Sequence, residues 1–132
     1  MLTTTRRKMA GLVAGLTLTL AAGAALAEYP ERPVQLIVPY PAGGGTDIVA
    51  RTLAGELEKE LGQPVNVVNR DGGGGIPGQT AIARARPDGY TIGLIASDIS
   101  LYKPQGLAPL THADMTAIGQ TNELAGSVTV AA

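Results

Sequence analysis

Two glycine runs at equivalent places constrain this fold most. Gly43-Gly44-Gly45 and Gly72-Gly73-Gly74-Gly75 each come shortly after a β-rich segment and before a helical one. The first segment, Val34-Gln35-Leu36-Ile37-Val38, is apolar and β-branched and is bounded by Pro33 and Pro39, the pattern of a buried strand. The second is Val65-Asn66-Val67-Val68-Asn69. Pro39 and Pro41 stiffen the first turn, and Thr46 or Asp47 can cap the helix after it. That helix has an apolar stripe of Val49, Leu53, Leu57 and Leu61 with Ile48 beside it; Gly62 is the expected stop and Pro64 prevents continuation. The second glycine run leads into a short helix over about residues 79–85, with Ala81, Ile82 and Ala85 facing inward, which must end before Pro87. Pro87-Asp88-Gly89 is turn chemistry, and residues 90–96 form a third strand. Strand-helix-strand-helix-strand at this spacing predicts an α/β fold with parallel strands and right-handed crossovers. Residues 97–114 read as a loop containing Pro104 and Pro109; residues 117–121 and 127–130 read as two further strands.

Composition removes several function classes. The 132 residues hold no Cys, which excludes a disulfide scaffold, a zinc-thiolate site and a thiol nucleophile. The single His, His112, excludes a metal site or proton relay needing two, and no metal or cofactor is expected. A formal net charge of -1 gives no electrostatic case for nucleic acid. The amino-terminal stretch is basic at Arg6, Arg7 and Lys8, then uncharged over residues 9–27, and ends Ala25-Leu26-Ala27. That is the layout of a secretory signal peptide, with the mature chain beginning near Glu28. A membrane-spanning helix competes with it, but the small-x-small cleavage motif and the Pro-rich sequence beyond favour cleavage. Arg6-Arg7 alone does not separate twin-arginine from general export. Beyond Ala27 the chain carries seven Lys/Arg against eleven Asp/Glu, a net of -4 that suits a soluble exported protein.

In an open parallel sheet, ligands bind beyond the carboxyl ends of the strands. Three segments meet that description: residues 39–47, 71–78 and 96–100. Glycine lets main-chain N–H groups approach a ligand, and a helix N-terminus adds unsatisfied donors and the positive end of its dipole. Together they form an anion site without a cation, and a carboxylate is a natural guest. The competing reading is that the glycines only turn the chain. A second competitor is nucleotide binding: Gly73-x-Gly75-x-x-Gly78 follows a strand, and Asp98 lies 20 residues further on. Against it, the pattern follows the second strand, Pro77 sits inside it, and Arg70-Asp71 separates it from the strand. No Lys-Ser/Thr follows either run, so a P-loop is absent. Ser97, Asp98 and Ser100 offer a nucleophile without a nearby His. Glu56, Glu58, Lys59 and Glu60 read as a solvated helix face, and Arg70 as a surface cation. Tyr40 either closes over a ligand or packs on the first helix.

Tyr29-Pro30-x-Arg32-Pro33-Val34 followed by Leu36-Ile37-Val38-Pro39-Tyr40-Pro41-Ala42-Gly43-Gly44-Gly45-Thr46-Asp47 resembles the opening of Bug-type extracytoplasmic solute receptors, the substrate-binding subunits of tripartite tricarboxylate transporters. The resemblance continues through Leu61-Gly62-Gln63-Pro64-Val65, Val68-Asn69-Arg70, Gly73-Gly74-Gly75, Ala83-Arg84-Ala85-Arg86-Pro87-Asp88-Gly89-Tyr90-Thr91 and Asp114-Met115-Thr116-Ala117-Ile118. It implies a type II periplasmic-binding-protein-like fold of two domains with a cleft between them. It implies capture of small carboxylates for membrane partner subunits, in the periplasm and without enzymatic turnover. On that resemblance residues 1–27 are the signal peptide and residues 28–132 the N-terminal portion of the first domain, with the second domain and half the cleft missing. The ligand loop after the first strand maps onto Tyr40, Pro41, Ala42, Gly43, Gly44 and Gly45, with Asp47 opening the helix. The loop after the third strand maps onto Ala96, Ser97 and Asp98. That loop is more acidic here than the Thr/Ser/Gly-rich version common in the family, and Asp98 would repel a carboxylate if it faced the cleft.

Overall fold

Val34–Val38 forms strand β1, at the centre of a three-stranded parallel sheet. The computed structural model describes residues 29–121; the expected signal peptide, its cleavage point near Ala27 and the expected strand at 127–130 lie outside the described residues. After β1 come helix α1 (Gly45–Leu61), strand β2 (Val65–Asn69), a one-turn 3-10 segment (Gly73–Gly75), helix α2 (Ile76–Ala83) and strand β3 (Thr91–Gly93). A one-turn helix α3 (Ile99–Tyr102) and a 3-10 turn (His112–Asp114) complete the described elements. The strand order is β2-β1-β3. Val34 stands opposite Val65 and Val38 opposite Asn69 on one side; Gln35 stands opposite Thr91 on the other.

The central position of β1 explains its composition. A parallel strand covered on both faces needs an apolar run rather than an alternating one. Val34, Leu36, Ile37 and Val38 are all essentially buried, and each such side chain contributes about 1.5–3 kcal/mol by leaving water. Val34, Leu36 and Val38 pack with Ala50, Ala54 and Val65, flanked by Leu57, Leu61, Val67 and Ile92. A second cluster joins Ile99, Tyr102 and Leu110.

Five sequence expectations change in detail. The inner face of α1 centres on Asp47, Ala50 and Ala54, while Ile48 is 60% exposed. Of the expected stripe, Leu57 and Leu61 pack against this core, while Val49 and Leu53 are half-buried. Helix α2 starts three residues early because Pro77 occupies its first turn, where a missing N–H costs nothing, and it buries Gly78 and Gln79. The third strand is shorter than residues 90–96. Its ladder runs only from Gln35 N–H to the Tyr90 carbonyl (2.9 Å) to Leu94 N–H on the Ile37 carbonyl (3.1 Å), as far as β1 offers partners. Residues 97–114 are not all loop: Asp98 accepts from the Ile99 N–H and starts α3. Residues 117–121 carry no strand, and Ile118 is 85% exposed.

Candidate functional site

The chain goes from β1 to β2 on one side of the sheet and returns to β3 on the other. The strand order thus reverses between β1 and β3, and open α/β sheets hold ligands beyond the carboxyl ends of the strands at such a switch point. The β1 connection is a short glycine loop running into α1. Gly44 is the N-cap and no side chain caps the helix. The N–H groups of Gly45, Thr46 and Asp47 thus have no intrahelical acceptor, as the first turn of a helix leaves them. Gly43 takes φ +79°, a conformation that side chains resist, so this loop depends on glycine there.

A polar clamp holds the loop at both ends. The Asp47 carboxylate, 3% exposed, accepts from the Gly43 N–H (2.8 Å), Arg51 Nε (2.9 Å) and Asn69 Nδ2 (2.9 Å). Asn69 Nδ2 also donates to the Tyr40 carbonyl (3.1 Å), and Arg51 donates to Asn69 Oδ1 (3.2 Å). The hydrogen bond from Arg51, then those from Gly43 and Asn69, lower the Asp47 carboxyl to about 2. Asn69 ends β2, so the clamp ties the β1 loop to the neighbouring strand.

A second network joins the β1 loop to the β3 loop. The Tyr40 hydroxyl donates to Asp98 Oδ1 (2.8 Å) and accepts from the Ala96 N–H (3.2 Å). Gln79, fully buried on α2, donates from Nε2 to Asp98 Oδ1 (3.2 Å) and to the Tyr102 hydroxyl (2.9 Å). Tyr102 in turn donates to the Gly74 carbonyl. Burial, then the Asp98 carboxylate, push both hydroxyls up, Tyr102 to about 12 and Tyr40 further.

Of the expected ligand residues, Pro41, Ala42, Gly43, Gly45, Ala96 and Ser97 are exposed, Tyr40, Gly44 and Asp98 half-buried, and Asp47 buried. The structure brings Tyr40, Ala96 and Asp98 together, and Asp47 against Gly43. The Tyr40 ring packs against the core that includes Ala50 and Ala54 of α1, the second of its two expected roles, while its hydroxyl reaches the β3 loop. Sequence reasoning does not single out Arg51, Asn69, Gln79 or Tyr102. The available signals are an Asn closing an apolar strand and a Gln inside a helix of small and apolar residues. The acid that nucleotide binding needs for a ribose, Asp98, is instead engaged by Tyr40 and Gln79. Gly78 serves close packing, since a Cβ there would lie 2.6 Å from the Arg70 carbonyl oxygen. Two concavities lie elsewhere: about 430 Å³ at the amino ends of the strands beside Arg32 and Asn66, and about 700 Å³ along β3 against residues 112–121. Among the described residues no group of three or more His, Asp or Glu could hold a metal, and no helix is long and apolar enough to cross a membrane.

The family model described as "Tripartite tricarboxylate transporter family receptor" matches residues 49–132. Protein BugT of Bordetella pertussis is 47% identical over 93 residues, which are 70% of this chain and 28% of that protein. A protein from the gbd 5' region of Cupriavidus necator is 40% identical over 95 residues, 71% of this chain and 29% of that protein. The chain thus spans less than a third of the length of these relatives. Among solved structures, a solute binding protein from Polaromonas, without ligand, superposes with TM-score 0.61 at 44% identity, covering 64% of this chain and 30% of that one. An R. palustris protein with adipate gives TM-score 0.53 at 36% identity, covering 55% of this chain and 24% of that one. The parallel α/β sheet is that of the first-domain portion of these periplasmic binding proteins. With most of its length inside the matched family region and its fold shared with a solved member, this chain belongs to the tripartite tricarboxylate transporter receptor family.

Proposed function

We propose that this chain is the carboxylate-gripping part of a periplasmic solute receptor that delivers its ligand to the membrane subunits of a tripartite tricarboxylate transporter, and that it catalyses no reaction. The observation that carries this reading is the uncapped start of α1. The N–H groups of Gly45, Thr46 and Asp47 stand at the switch point between β1 and β3, at the positive end of a 17-residue helix dipole. A carboxylate supplies the acceptors those donors lack. Tyr40, Pro41, Ala42, Gly43, Gly44 and Gly45 form one wall, and Ala96 and Ser97 the facing one. Asp47 contributes its main-chain N–H and holds the loop, because its carboxylate is already engaged with three donors. Asp98 is likewise engaged, by Tyr40, Gln79 and the Ile99 N–H. Its charge is thereby turned toward protein donors, which answers the repulsion its acidity would otherwise cause.

The bound adipate of the R. palustris relative supports a small dicarboxylate as the ligand class. The basic, apolar, Ala-Leu-Ala order of residues 1–27 supports export with cleavage near Ala27, leaving residues 28–132 as the N-terminal portion of the first domain. Titration of the 15N-labelled full chain with adipate tests the reading. The amides of residues 43–46 and 96–97 should shift together. An unchanged spectrum at millimolar adipate, or shifts at residues 73–78 with NAD in their place, overturns it.

A further inference from the structure

Three connections leave the carboxyl end of the sheet, and one buried side chain touches the partners of all three. Gln79 Nε2 lies 3.2 Å from Asp98 Oδ1, 2.9 Å from the Tyr102 hydroxyl and 3.5 Å from the Tyr40 hydroxyl. The proton directions follow from the chemistry of the groups. An ionised carboxylate only accepts, so the amide must turn its NH2 toward Asp98; reversing it would set Oε1 against Oδ1. Tyr40 gives its single proton to Asp98 and accepts from the Ala96 N–H. Tyr102 has two acceptors in reach, the Gly74 carbonyl and Asp98 Oδ2 at 3.2 Å, and the carbonyl is the closer. The second Gln79 proton therefore goes to Tyr102. The result is a directed chain. It runs from Ala96 through Tyr40 to Asp98, and from Gln79 both to Asp98 and through Tyr102 to Gly74.

Both protons of one nitrogen are used, and Gln79 Oε1 is left buried with no partner. A buried unmet acceptor opposes folding. An apolar side chain of the same shape would fill the space without that penalty. What it would lose is the bridge between the β1 loop, the β3 loop and the Gly73–Gly75 turn.

We propose that Gln79 is a positioning residue that fixes the two ligand-binding loops relative to each other, so that the β1 loop, the β3 loop and the glycine turn respond to a ligand as one unit. This rests on the receptor reading only for what the loops bind. It also predicts a ligand response at Gly74, whose carbonyl accepts from Tyr102 in this network.

Gln79→Met in the full chain tests it by amide exchange and thermal unfolding without ligand. Support is an Ala96 amide that exchanges at least about fivefold faster, the loss of one net hydrogen bond, while the amides of Arg70 and Leu94 in the sheet and the melting temperature hold. A residue that mattered only for packing would lower the melting temperature and speed all of these amides together, and that result overturns the proposal. Gln79→Glu adds a pH readout. The groups facing it are Asp98, Tyr40 and Tyr102, so two carboxylates meet. The Ala96 amide shift should then show a further pH-dependent step that the wild type lacks. If Gln79→Met does not fold, the Gln79→Glu readout decides: an Ala96 shift that follows the wild type's across the pH range overturns the proposal. Adipate shifts in the wild type report on the receptor reading separately. Their absence leaves the exchange experiment intact, while shifts at residues 43–46 without one at Gly74 sink the coupling alone.

Discussion

Adding the same methyl group at two glycines should move stability in opposite directions. At Gly78 a Cβ would stand 2.6 Å from the Arg70 carbonyl oxygen and 2.7 Å from Pro39 Cα. Both are backbone atoms and cannot rotate aside. The first turn of α2 must retreat by about 0.8 Å to reach the 3.4 Å at which ordinary contact begins. Overpacking against immovable atoms costs roughly 2–3 kcal/mol, and the helix propensity of alanine returns up to about 1. Gly78→Ala should therefore lose about 2 kcal/mol, or roughly 8–16 °C in Tm for a domain this size. Gly55 lies inside α1 with nothing within 4 Å of where an added methyl group would sit and no positive φ. Gly55→Ala should gain about 0.5–1 kcal/mol from the unfolded chain's lost freedom. Urea unfolding followed by far-ultraviolet circular dichroism reads both. If Gly78→Ala is as stable as the wild type, the close seating of α2 on the end of β1 is wrong; a loss at Gly55→Ala refutes the open space at that position of α1.

The remaining predictions concern the β1 loop. Gly43→Ala forces a side chain into φ +79°, at about 1–2 kcal/mol, while keeping the N–H that bonds Asp47. The adipate shifts of residues 43–46 should weaken, read by titration, with the β-sheet amides unmoved. Asp47 ionises near pH 2 when folded, below its ordinary 3.8, so its contribution is complete above about pH 4 and disappears as pH falls through 2. Asp47→Asn should flatten that acid-side decline in urea midpoints; a decline that persists unchanged places its origin elsewhere.

Much of the fold is legible in the sequence because its signals are local. The Pro-fenced Val34–Val38 run, the valine-rich Val65–Asn69 run and the glycine after Leu61 each carry their structural reason within a few residues. The glycine loop at the end of β1 is legible for the same reason. Helix faces are less so. Large apolar residues mark a stripe in sequence, but packing distance against the sheet selects Ala50 and Ala54 for the inside of α1. Residues 97–102 read as loop because a four-residue helix has too little periodicity to register.

The polar residues that shape the site are beyond local reading. Asn69 meets Asp47 across 22 positions, Gln79 meets Asp98 across 19, and Tyr40 meets Asp98 across 58. The first needs only β2 beside β1, while the two pairings to Asp98 exist because β3 lies on the far side of β1 from β2. Had β3 joined the sheet beyond β2, Asp98 would lie on the other side of β2 from Tyr40. The glycine loop would then keep its donors but lose its facing wall. Strand order thus does two jobs in this sheet. It sets the switch point at which the carboxylate site is proposed, and it brings together the side chains that hold the β1 and β3 loops to each other. The first follows from the pattern of strands and glycines, while the second depends on three polar side chains landing at the right depth. A local pattern can therefore point to the site without revealing what keeps it in shape.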